Sequence, residues 1–222
     1  MKLYDTPGFP NPARTRIVLA EKGLEAQVQF IKVDLFAAEH KQPAFLAMNP
    51  AGTVPVLELD DGTLIAESVA IALYLDNLDG KPVLTGVTPK EKAVIAMMQK
   101  RADDQLIDTI GIFFHYGTTG LGPTLQAYKS PDWAARGEWA QRNLDRFKQG
   151  MAYFNSVLET SPYVAGDRFT LPDITVFAAL MHAGFAGVTI PADCPALAAW
   201  QARVAERPGV KHRSGQVLEM PA

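Results

Sequence analysis

Cysteine is nearly absent: Cys194 is the single thiol in 222 residues. An intrachain disulfide and a CxxC dithiol are therefore excluded, and a lone thiol fits a reducing, cytoplasmic setting. Long hydrophobic runs are missing too, and without about 18 consecutive apolar residues no membrane span is expected. The opening stretch MKLYDTPGFP breaks at Pro7 and Gly8 before an apolar core can form, so no signal peptide is expected. There is no basic excess: 21 Lys and Arg stand against 24 Asp and Glu, a net charge of -3. That balance argues against a nucleic-acid partner, which usually meets a clustered basic face. The four histidines show no ligand spacing, so no metal is expected. Repeats and low-complexity segments are also lacking. What remains is ordinary globular material, 48% hydrophobic and 20% charged. It can build a core without a metal or disulfide, as one large domain or two small ones.

The two halves of the chain differ in pattern. Residues 1 to 79 mix strands and helices. Lys2 to Asp5 starts a strand, and Pro7, Gly8, Pro10 and Pro12 punctuate a loop. A helix is predicted over roughly Ala13 to Lys22, with Gly23 as its stop. Gln27 to Val33 carries the alternation and β-branched content of a strand. Pro43 to Met48 reads as a short helix. Val56 to Leu59 and Thr63 to Ala66 flank Asp60-Asp61-Gly62, a hairpin signal. Glu67 to Asn77 has Val69, Ala70, Leu73 and Tyr74 at helical spacing. The order β-α-β-α-β-β-α is that of a thioredoxin-like fold, with early strands parallel and the last two antiparallel. Residues 80 to 88 (GKPVLTGVT) read as a linker. Residues 89 to 222 then read as an all-helical bundle of four to six helices. Helices are expected over Pro89 to about His115, Asp132 to Glu159, Pro172 to Gly187 and Pro195 to Glu206. Thr88 and Pro89 make a good start for the first of these, and Thr170 with Asp173 resembles a capping box.

The stretch NPAGTVPVLELDDGTLIAESVAIALYLD (Asn49 to Asp76), with EHKQPAFLAMNP before it, resembles the glutathione-binding segment of the glutathione transferase superfamily. Thr170 to Thr175 (TLPDIT) is similar to a helix start in the family's C-terminal domain, and Arg14 fits its first helix. The resemblance spans nearly the whole chain. Val-Pro followed a dozen residues later by Glu-Ser is its most specific element. It implies an α/β thioredoxin-like domain that binds glutathione, and a helical-bundle domain that shapes the pocket for a small hydrophobic electrophile. It also implies a homodimer through the long helix after the linker, and a role in detoxification.

The residues make chemical sense in those terms. Glutathione carries two carboxylates, an amine and a thiol. Val54-Pro55 resembles the family's cis-proline turn, which would leave the Val54 backbone free to pair with a peptide ligand. The alternative is a trans proline opening a strand. Ser68 at a helix start offers a hydroxyl and amide to a carboxylate, and Glu67 suits the amine; a plain helix cap is the alternative. His40 and Lys41 suit the other carboxylate, unless they are solvated loop charges.

One departure matters. Most such enzymes activate the thiol with Tyr, Ser or Cys near the first turn, and Pro7 to Ala13 contains none. Tyr4 belongs to the strand, and Thr6 reads as a turn residue. Asn11 is the candidate donor, either as a catalytic amide or as the N-cap of the first helix. His115, in FFHYGTTGLGP, is the second candidate, holding a water or acting as acid–base near neutral pH. The alternative is a helix end where His complements the dipole. Tyr116, Thr118 and Thr119 are further donors there. This pattern is closest to an atypical yeast and bacterial branch lacking the usual hydroxyl or thiol. Cys194, His182, Asp103 and Asp104 are read as structural or solvated. Conjugation is the leading function; a glutathione-dependent disulfide reductase or peroxidase, or a non-catalytic adaptor, are its rivals. The 113 to 123 loop and the tail KHRSGQVLEMPA are expected to set substrate choice.

Overall fold

A computed structural model describes residues 1–129 and 136–215. Four strands form one sheet in the order β2-β1-β3-β4. β1 (Lys2–Asp5) and β2 (Gln29–Lys32) run parallel, joined by helix α1 (Pro10–Glu21). β3 (Val56–Glu58) is antiparallel to β1 and to β4 (Leu64–Ala66). Between β3 and β4 the backbone turns at Gly62, whose φ of +85° favours glycine. Helices α2 (Pro43–Met48) and α3 (Ser68–Asn77) complete the expected β-α-β-α-β-β-α order.

Helix α1 begins three residues earlier than the sequence pattern suggests. Phe9 is its N-cap, and Pro10, Asn11 and Pro12 form the first turn. Prolines are tolerated there because first-turn amides have no partner inside the helix. Asn11 is therefore not the N-cap, and its side chain is available for other work.

The second half is helical: α4 (Pro89–Ala102), α5 (Asp108–Gly117), α6 (Pro123–Gln126), α7 (Gly137–Leu158), α8 (Leu171–Phe185), α9 (Pro195–Ala205) and α10 (Pro208–Lys211). The expected long helix from Pro89 exists, but a π-helical segment, Asp103–Ile107, separates α4 from α5. The short α6 and α10 carry too few periodic residues to be visible in sequence. The expected start of a helix at Asp132 lies outside the described residues. Thr88 caps α4 in a reciprocal capping box with Glu91. Ahead of α8, the Asp173 carboxylate accepts the Thr170 amide at 2.9 Å, as its spacing suggested. Among the described residues no helix is long and apolar enough to cross a membrane.

One apolar core runs through both halves. Leu3, Ile17, Leu57, Ile71 and Leu75 meet Leu106, Ile110, Phe147, Met151 and Trp200 within it. Full burial of such side chains stabilises by roughly 1.5–3 kcal/mol each. The segment between α3 and α4 is tied down. Buried Asp76 accepts the amides of Val83, Leu84 and Thr85 at 2.8–3.1 Å. A smaller apolar cluster, including Phe9, Leu35, Phe45, Phe114, Leu121 and Leu125, lies where the strand loops meet α5 and α6. It backs the candidate site.

Candidate functional site

Two hollows stand out. The larger, about 440 Å³, lies between α3 and α4 against Val69, Leu73, Ile95 and Gln99. The smaller, about 230 Å³, draws residues from α1, the loop before α2, the turn before β3, α5, α6 and α8. Convergent polar groups in an apolar cleft mark a site better than size does. Both hollows carry polar groups, but the smaller gathers the residues singled out in the sequence: Asn11, His40, Lys41, Val54 and His115 line it, together with His182.

Asn11 is held by its neighbours. Its Oδ1 accepts Arg14 Nη1 at 2.9 Å and Ser68 Oγ at 3.4 Å. A guanidinium cannot accept a hydrogen bond, so the carbonyl end must face Arg14. The amide NH2 of Asn11 is left as the donor end of a residue lining the cleft, in the first turn of α1. There the helix dipole favours an anion. Arg14 is buried under this arrangement, and burial lowers its pKa while Asp103 opposes the change. Its Nη2 donates to Asp103 Oδ1 at 2.8 Å, and Gln99 donates to the other oxygen of Asp103 at 2.9 Å. The π-helical segment thus supplies the anion that holds the cation that orients Asn11.

The other hydroxyls of the first turn are engaged elsewhere. Thr6 Oγ1 donates to the Val33 carbonyl at 2.6 Å, and the Tyr4 hydroxyl donates to Glu58 at 2.6 Å. Thr118 Oγ1 donates to the Phe114 carbonyl at 2.6 Å.

Three imidazoles surround the cleft, and none is a cation at neutral pH. Burial is the main cause for each. With Lys41 and His115 nearby, it pushes His40 down to about 4. With Lys129 and Lys41 nearby, it pushes His115 down to about 4. His182, facing His115, also falls to about 4. A neutral His115 neither complements a helix dipole nor titrates near neutrality, as the sequence reading had it. It offers one donor and one acceptor nitrogen instead. Likewise His40 would meet a carboxylate as an N–H donor, and its buried Nδ1 has no hydrogen-bond partner among the described residues. Lys41 is a half-buried cation whose pKa burial lowers, and its Nζ donates to the Gly52 carbonyl at 2.6 Å. Gly52 itself must be glycine: at φ +58°, a Cβ would lie 2.9 Å from the His40 carbonyl oxygen.

The Val54-Pro55 bond is cis. Among the described residues no backbone group pairs with the amide or carbonyl of Val54, which lines the cleft just before β3. Pro55, Glu67 and Ser68 do not line the cleft; Ser68 reaches it through Asn11. Glu67 is exposed, at φ +68°, and is the N-cap of α3. A non-glycine residue held there costs on the order of 1–3 kcal/mol and commonly marks a functional turn.

Sequence reasoning missed two contributors. His182, read as core, is buried but lines the cleft, its ring 4.7 Å edge-on from Phe114. Arg14 was noted without its role. In both cases the signal lies in tertiary contacts, not in local pattern. Cys194 is buried, and its thiol pKa is raised by burial and by Asp193, as expected for a structural thiol.

Comparison with known proteins agrees with this geometry. Family models described as "Glutathione S-transferase, N-terminal domain" and "Glutathione S-transferase, C-terminal domain" match residues 10–78 and 137–203. The chain is 52% identical to Glutathione S-transferase 2 of Saccharomyces cerevisiae over 95% of its length and 88% of that relative. The crystal structure of Gtt2 from the same yeast superposes with a TM-score of 0.90 at 52% identity, covering 95% of this chain and 99% of that one. A glutathione S-transferase domain-containing protein of Marinobacter aquaeolei gives 0.87 at 50% identity, covering 95% and 100%.

Proposed function

The chain belongs to the glutathione S-transferase family, and from that premise we propose that it joins the glutathione thiol to small apolar electrophiles, with Asn11 as the activating donor. One observation carries the assignment of Asn11: Arg14 fixes its carbonyl end and leaves the amide NH2 as the end free to meet a thiolate beside the N-terminus of α1. A donor and a helix dipole both lower a thiol pKa.

The remaining groups accommodate the rest of glutathione. Val54 offers an unpaired amide and carbonyl to the cysteinyl backbone. Ser68 and the N-terminus of α3 receive the γ-glutamyl carboxylate, with Glu67 near its amine. Lys41 and the His40 N–H receive the glycyl carboxylate. Ile107, Phe114, Leu121 and Leu125 form an apolar wall for the electrophile. His115, a neutral imidazole, holds a water that takes the thiol proton. Pro55 shapes the turn and makes no direct contact. The reaction needs no metal.

We also propose a homodimer. The hollow between α3 and α4 is bordered by Leu73 of α3, 47% exposed, and Met97 of α4, the long helix after the linker, is 45% exposed. Sedimentation of the purified protein tests this. The domain limits 1–79 and 89–222, a cytoplasmic location and a role in detoxification are part of the same reading.

The functional test is steady-state conjugation with an aryl halide, wild type against Asn11→Ala. Turnover that depends on Asn11 supports the proposal. No conjugation with any electrophile sinks it, and undiminished turnover in the variant moves the activating role elsewhere.

A further inference from the structure

Gly111 is an unexplained glycine. It lies inside α5, in a helical rod that runs unbroken from Pro89 to Gly117. Glycine is the least favourable residue in a helix interior after proline. Gly137 and Gly184 are open as well but do not line the cleft, and crowding accounts for glycine at further helix positions. A Cβ on Gly117 would meet the Phe113 ring at 2.7 Å, and one on Gly150 would meet the Gln105 carbonyl at 2.8 Å. At Gly111 a Cβ would meet nothing within 4 Å, and φ is not in the left-handed region. Neither sterics nor backbone conformation calls for glycine here.

The space beside it is the cleft. Ile107, Gly111, Phe114 and His115 all line it, at the i, i+4, i+7 and i+8 spacing of one helix face. Three of these positions carry large side chains, and the fourth carries none. We propose that Gly111 is the size-determining residue of the second-substrate chamber: its missing side chain is the room that admits the ring of an aryl electrophile. The inference rests on the transferase reading. In the reaction it serves, the thiolate sulfur bonds to the ring carbon, the carbon–halogen bond breaks, and halide leaves with the bonding pair. The thiol proton goes to solvent.

The test compares wild type, Gly111→Ala and Gly111→Leu with two electrophiles, iodomethane and 1-chloro-2,4-dinitrobenzene. Gly111→Leu is expected to lower kcat/KM at least tenfold for the aryl halide, and less than twofold for iodomethane or in the KM for glutathione. Gly111→Ala should raise Tm by about 2–4 °C, because it restores helix propensity without a clash. Binding of the two products gives a second readout that needs no turnover: the Leu variant should lose affinity for S-(2,4-dinitrophenyl)glutathione and keep it for S-methylglutathione. Equal losses for both electrophiles and both products, or no loss for the aryl pair, would overturn the inference. No turnover by wild type would sink the transferase reading alone, and product binding would still decide the role of Gly111.

Discussion

The two walls of the cleft are built on different principles. The wall from α1, the loop before α2 and the turn before β3 is polar and, around Asn11, held by hydrogen bonds: Arg14 to Asn11, Ser68 to Asn11, Arg14 to Asp103. Its donors are fixed before a ligand arrives, and fixed dipoles stabilise developing charge without reorganising. The wall from α5, α6 and α8 is apolar and aromatic, and its titratable members, His115 and His182, are held neutral by burial. The first wall is suited to recognising one constant substrate. The second tolerates variety, because apolar contact discriminates weakly between ligands.

If that division is right, the largest single effect comes from the polar wall. Asn11→Ala should lower kcat/KM by about 10²–10³-fold, the usual cost of deleting one preorganised donor. Stopped-flow conjugation at saturating glutathione separates that loss from weakened binding. A loss confined to KM would mean that Asn11 binds rather than activates.

The next effect belongs to the neutral histidines. Their folded pKa values, about 4, lie below the ordinary 6.5. The unfolded chain therefore binds protons first as pH falls, and stability present above pH 6.5 is lost on the way down to 4. Asp173, pushed up to about 6 by burial, works in the opposite direction as one group against three. Full shifts would sum to a net loss of roughly 5–7 kcal/mol between pH 6.5 and 4. Urea unfolding across that range measures it, and a flat profile would mean the imidazoles are not buried as described.

This contrast also explains what could be read in the sequence. The polar wall was legible because each part sits in a local signature: Val54-Pro55 before a strand, Glu67-Ser68 opening a helix, prolines at the first turn. The element order and the capping residues of α4 and α8 follow the same local chemistry. His182 was not legible, since it lies 67 residues beyond His115 in the chain and only the packing of α8 against α5 joins them. The role of Arg14 was hidden likewise, because its partner Asp103 is on a π-helical segment that no periodicity announces. Asn11 as a helix cap was a fair local reading, displaced because Pro10 and Pro12 let α1 start earlier.

Smaller effects sharpen the division. His115→Ala should lower kcat about tenfold at neutral pH, less than the usual 10²–10⁴-fold for a direct proton acceptor because His115 works through water. Because His115 titrates far below neutrality, the residual rate should keep the same pH profile above pH 6. An altered profile would assign the acid–base role to the imidazole itself. The smallest expected change is in Ser68→Ala, which removes one hydrogen bond worth about 1 kcal/mol and should raise the KM for glutathione about fivefold with kcat unchanged. A fall in kcat instead would show that Ser68 acts mainly by orienting Asn11.

The most direct test is the acidity of the bound thiol. Glutathione is titrated into wild type and Asn11→Ala, and thiolate absorbance in the near ultraviolet is followed across pH. The account predicts a bound pKa at least about one unit below the ordinary thiol value near 8.5 in wild type, and its return toward that value in the variant. An unshifted pKa in wild type, or the same depression in both proteins, would contradict it.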